Sequence, residues 1–142
     1  MHKIDAMKRL AFILTTLIFI GLASCQDPAK SRVYMDEGQK LMMRYSQYAQ
    51  AEEALTKAIK YDKNNYEAYY LRGCSRVNQR KYQEAISDFE HATTLKPDYA
   101  DAYFNIGITY HLLNEEDSAC IYYKLADKYG RPNLEDYLKR CP

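Results

Sequence analysis

Four cysteines, three histidines and one tight run of acids are the side chains of this 142-residue chain that could do chemistry. A thiol can be acylated, oxidised or bound to a metal, and its neighbours decide which. His91 and His111 stand twenty residues apart, with neither a cysteine nor a carboxylate at zinc-ligand spacing. They read as surface histidines. Glu115-Glu116-Asp117 enters a helical pattern, where acids favour the positive end of the helix dipole. No phosphate-cradling glycine loop and no nucleophile elbow is present. The chain is therefore expected to be no enzyme and to need no metal or cofactor. Its 20 Lys+Arg and 19 Asp+Glu nearly cancel, which argues against nucleic acid as a partner.

The first thiol closes a leader. Lys3, Lys8 and Arg9 precede an uncharged, mostly apolar run from Leu10 to Ala23. These fourteen residues fall short of the roughly 20 that a membrane-spanning helix needs, and read instead as a secretory signal. The run ends in Leu22-Ala23-Ser24-Cys25, which resembles the lipobox of bacterial lipoproteins. That resemblance implies a leader of 1-24 cut before Cys25, a diacylglycerol on the Cys25 thiol, and often an acyl chain on the new amino terminus. A generic signal peptide with an incidental cysteine and an uncleaved anchor are the alternatives, and Met7 is an alternative start. One acyl chain holds a protein only marginally; two or three, at about 0.8 kcal/mol per buried methylene, hold it for good. The protein is accordingly expected in a bacterial cell envelope, at the outer membrane facing the periplasm. Residues 26–33 are polar with a proline, so 25-33 is expected to be the lipidated cysteine and a tether.

The remainder repeats. Ala51, Ala85 and Ala119 are spaced by 34, as are Ala58, Ala92 and Ala126, and Leu55, Phe89 and Tyr123. Tyr69 and Gly73 recur as Tyr103 and Gly107 on the same period. Within a period the pattern is helical: Tyr82, Ala85, Ile86, Phe89, Ala92 and Leu95 follow three- and four-residue steps. Asn78-Gln79-Arg80-Lys81 is a polar turn, and Pro97 closes the unit. Each unit is thus a pair of antiparallel helices, with Gly73 and Ala85 where the backbones approach and Phe89 beside them.

These residues resemble the tetratricopeptide repeat (TPR) family, whose 34-residue signature runs aromatic, Leu, Gly, Tyr, then Ala, aromatic, Ala and Pro. Tyr69, Gly73, Tyr82, Ala85, Phe89, Ala92 and Pro97 carry the likeness in the middle unit. The implied fold is all-α, a right-handed α-solenoid of three units at 34-65, 66-99 and 100-133, with a capping helix at 134-142. Arg72 and Arg76 depart from the family's Leu and Tyr, giving that helix a more polar edge. Gly38 comes one residue early, which implies a longer turn around Tyr45–Gln47.

In this family the first helix of each pair lines a concave groove for a peptide or partner helix. The resemblance assigns that lining to Met35, Gln39, Met42 and Met43, then Glu67, Tyr70, Cys74 and Val77, then Asp101, Phe104, Ile108 and His111. The stripe is apolar and aromatic, suited to a protein partner, unless it packs internally or is covered by residues 26–33. The Lys/Asn pattern of chaperone-tail binders is missing, so an acidic carboxyl terminus is not the expected ligand. The implied role is a membrane-anchored adaptor or scaffold for protein partners; the alternative is a permanent subunit of one envelope complex, its groove filled on assembly. Two further thiols, Cys120 and Cys141, lie ten residues to either side of a turn at Gly130-Arg131. Antiparallel helices would bring them level, and a disulfide there would add roughly 3 kcal/mol; two unrelated thiols are the alternative. Cys25→Ser is expected to move the protein out of the membrane fraction, and unchanged fractionation would refute lipidation.

Overall fold

Polar breaks cut the apolar pattern into seven helices in the computed structural model, which describes residues 26–142. They are α1 (Pro28–Tyr45), α2 (Tyr48–Tyr61), α3 (Tyr66–Asn78), α4 (Tyr82–Leu95), α5 (Ala100–Leu112), α6 (Glu116–Lys128) and the short α7 (Glu135–Leu138). Cys25 and the leader lie outside the described residues. Among the described residues there is no strand, and no helix is long and apolar enough to cross a membrane.

The turns inside the pairs share one chemistry. Arg80 and Asn114 both adopt φ 61°, which lets the N–H of Lys81 and Glu115 donate back to the carbonyls of Arg76 and Tyr110. Bonds of this kind satisfy carbonyls that a helix end leaves free. The first pair has one residue more, taken up at Ser46 (φ 51°), and Gln47 N–H donates to Leu41 O. Within each pair a glycine of the first helix meets a large side chain of the second: Gly38 with Leu55, Gly73 with Phe89, Gly107 with Tyr123. Ala51, Ala58, Ala85, Ala92, Ala119 and Ala126, all fully buried, complete these crossings.

The expected tether is not one from Pro28 onward. Asp27 caps the first helix, its Oδ1 accepting from Lys30 N–H at 3.0 Å, and Pro28 occupies the first turn, where a missing N–H costs nothing. Asp27 N–H also donates to Tyr61 O, and buried Ser31 accepts from Asn65 Nδ2, so this turn is docked onto α2 and the start of α3. Residues 28–33 are thereby part of α1 and do not cover the groove.

The expected polar edge at Arg72 and Arg76 is also absent, because both guanidiniums are turned inward. Arg72 makes two bonds to Asp88 and a third to Thr56; Arg76 bridges Asp88 and Glu52. Lys81 and Gln79 complete the shell of Glu52. Burial pushes the Glu52 carboxyl up, but the hydrogen bonds from Lys81, Arg76 and Gln79 outweigh it and hold its pKa at about 2. One period later the equivalents of Arg72, Arg76 and Asp88 are Ile106, Tyr110 and Tyr122, with the two tyrosine rings stacked at 5.4 Å. Two chemistries fill one structural slot. Asp88→Ala strips Arg72 of its only carboxylate and leaves Arg76 with Glu52 alone, and urea unfolding is expected to show a loss of about 3 kcal/mol. The triple replacement Arg72→Ile, Arg76→Tyr, Asp88→Tyr is expected to recover most of it.

Candidate functional site

The backbones of consecutive first helices approach each other, α1 to α3 and α3 to α5, whereas those of consecutive second helices stay further apart. The stack therefore closes toward the first helices, and their outer sides form the inner wall of the curve. The buried side of α3 holds Ala68, Gly73 and Ser75, and that of α5 holds Ala102, Ile106, Gly107 and Thr109. Opposite them run rows at steps of four, three and four residues. On α3 the row is Glu67, Leu71, Cys74, Asn78; on α5 it is Asp101, Asn105, Ile108, Leu112; on α1 it is Arg32, Asp36, Gln39, Met43. The ends of the α3 and α5 rows are exposed and their middles half-buried, while the α1 row is exposed throughout. Met43 and Leu112 are 77% and 46% exposed.

Gln39, Met43, Glu67, Cys74, Asp101 and Ile108 of the expected lining lie on these rows. Met35, Met42, Tyr70, Val77, Phe104 and His111 sit one step around each helix. Met35 packs against Ala58, Ile59 and Ala68, and Val77 against the cluster of Ala85, Ile86, Phe89 and Ile106. Tyr70 packs at a tilt against Phe89 and Tyr99 and accepts from Asn105 Nδ2 at 2.9 Å; burial pushes its hydroxyl up to about 12. Phe104 lies against Tyr123 and Tyr137. His111 is exposed and bonded to Glu116, 2.6 Å away. The wall is consequently mixed and largely polar, not the aromatic stripe expected. An aromatic ring has too much apolar area to leave in water when a neighbouring repeat can cover it. Arg32, Asp36, Leu71, Asn78, Asn105 and Leu112 were missed; stepping by four, seven and eleven from Glu67 and Asp101 would have found those of α3 and α5.

Cys74 is buried enough that its thiol is pushed up to about 11, so it is a neutral, hydrogen-bonded side chain beside Tyr70 and Asn105. No group of three His, Cys, Asp or Glu among the described residues could hold a metal. At the far end of the wall Cys120 and Cys141 are joined by a disulfide, their Cα atoms 5.4 Å apart. Leu134 is buried beneath that segment, at 2% exposure.

Three family matches follow this architecture: tetratricopeptide repeat at residues 54–87 and 100–129, and TPR repeat at 73–114. The chain is built of tetratricopeptide repeats. It is 30% identical over 88 residues to a heat shock protein sti1 homolog of Schizosaccharomyces pombe, covering 62% of this chain but 15% of that protein. It thus spans only a small part of the curated relatives it matches. Among solved structures, the first TPR of Spaghetti (RPAP3) bound to HSP90 peptide SRMEEVD superposes with a TM-score of 0.76 at 24% identity, over 81% of this chain and 92% of that one. The Arabidopsis OM64 TPR domain gives 0.75 at 22% identity, over 80% and 94%. At these identities the likeness shows the fold. The TPR geometry separates structural from open positions: Tyr70→Ala is expected to cost about 2–4 kcal/mol in thermal unfolding, and Gln39→Ala less than about 0.5 kcal/mol.

Proposed function

We propose that this TPR chain is a lipid-anchored adaptor of a bacterial cell envelope, capturing a segment of a partner protein on its inner wall while Cys25 holds it to the membrane. The carrying observation is the continuous wall itself: aligned rows on α1, α3 and α5, the first exposed throughout and the other two exposed at their ends. Rigid helices presenting exposed side chains at fixed spacing can read an extended or helical segment. The peptide held by the Spaghetti TPR supports a peptide-sized ligand. An acidic tail like that one is disfavoured, because Asp36 and Glu67 bring acids onto the wall and like charges repel.

The exposed apolar ends of the wall, Met43 and Leu112, favour a second reading as a permanent subunit that covers them on assembly. A stable monomer of the purified, delipidated domain supports the adaptor; aggregation relieved only by co-expression supports the subunit. Cross-linking in the native membrane, followed by mass identification of the captured protein, tests the wall. Met43→Glu combined with Leu112→Glu is expected to abolish capture while circular dichroism and melting stay near wild type, both side chains being exposed. Capture that survives the pair of substitutions removes the wall from the reading.

A further inference from the structure

The C-terminal segment sits at one end of the wall, against Phe104 and Asp101 of α5, and a single covalent bond ties it down. α7 is four residues long, far below the length at which a helix sustains itself. Its backbone lies against α6 alone, so it reaches α5 through the ring of Tyr137. That ring stands edge-on to Phe104 at 5.1 Å and lies 5.0 Å from Tyr123. Just upstream, the Arg131 guanidinium sits 3.9 Å over the Phe104 ring and pairs with Asp101, the first residue of the α5 row. In the preceding repeat the place of Phe104 is held by Tyr70, which Tyr99 and Asn105 of the next pair cover. Residues 131–142 thus stand where another pair would stack.

We propose that residues 131–142 are a redox-held lid on the C-terminal end of the interaction wall, released by a dithiol reductant. The proposal rests on reading that wall as a partner surface. Cys120 is buried at 6% exposure, whereas Cys141 is half-buried near the chain end, so a thiolate of the dithiol bonds to the Cys141 sulfur. The Cys120 sulfur leaves as a thiolate and takes a proton. The second thiol of the reductant then displaces Cys141, which is protonated in turn. Two electrons and two protons have passed to the chain, and the reductant carries the disulfide. The bond joins residues 21 apart; without it, lid closure becomes roughly a hundredfold less favourable. Leu134, Tyr137 and the contacts of Arg131 with Asp101 and Phe104 then hold the lid without a covalent bond. Phe104 and Asp101 become available to an aromatic or cationic side chain of the partner.

Hydrogen exchange read by mass spectrometry, on the intact purified chain with and without excess dithiothreitol, tests the lid. Amides of residues 131–142 are expected to exchange roughly a hundredfold faster after reduction, and hydroxyl-radical labelling of Phe104 to rise, with α1 to α4 unchanged. Cys120→Ala with Cys141→Ala is expected to show the same pattern without reductant. Unchanged exchange in 131–142 after both thiols are shown to be free, unchanged labelling of Phe104, or acceleration throughout the chain overturns the proposal. These readouts involve no partner, so a reduced chain that captures nothing overturns the wall reading without touching the lid.

Discussion

The contact on which the rest of this molecule depends is the one a glycine makes inside each helical pair. A Cβ at Gly38, Gly73 or Gly107 would lie 2.6 Å from the nearest carbon of Leu55, Phe89 or Tyr123. Overpacking of that kind costs about 1–3 kcal/mol, against about 1 kcal/mol that alanine would return in helix propensity. Packing wins, and it wins most clearly at Gly107, where the added carbon would also lie 3.2 Å from a backbone oxygen of Ala119. The large side chain of the second helix fills the space the glycine leaves and sets the rotation of both helices. That rotation decides which side of each first helix faces the inner wall, so the candidate site is a consequence of where the glycines sit.

Stacking the pairs is a separate problem, and the chain solves it differently at successive positions. Arg72, Arg76 and Asp88 join α2, α3 and α4 by charge, while Ile106, Tyr110 and Tyr122 occupy the same places with apolar surface. Buried ion pairs rarely stabilise more than the apolar groups that could replace them. What they supply here is discrimination. A face of guanidiniums mates poorly with a face of rings, so the two sides of the middle pair are not interchangeable and the order of stacking is specified.

The 34-residue period made the helical pairs legible, because alanine, glycine and aromatic positions in these units answer to backbone approach and little else. The start of α1 was not, although Asp27-Pro28 is an N-cap followed by a favourable first residue; the polar composition of residues 26–33 masked it, since most of that turn faces solvent. The wall was half legible. Its rows keep a fixed spacing, but attention to apolar and aromatic types selected Tyr70 and Phe104, whose rings are drawn into the junctions between repeats. In a solenoid the residues that look most like binding anchors are those the neighbouring repeat already covers. The residues left for a partner, such as Gln39, Asn78 and Leu112, have types that carry no signal of their own.

That division bears on how the wall can recognise anything. Its floor is stiff, because Tyr70 and Cys74 beneath it are packed against the core and hydrogen-bonded to Asn105. A stiff floor loses little conformational freedom on binding, which favours affinity without large apolar contact. Most of the row positions are charged or amide, and covering Asp36 or Glu67 without a donor would cost more than the neighbouring Met43 or Leu71 could return. A segment that docks there must therefore match charge and hydrogen bonding at the row positions before apolar contact counts. Specificity is set by the acids and amides, and adhesion by the apolar ends.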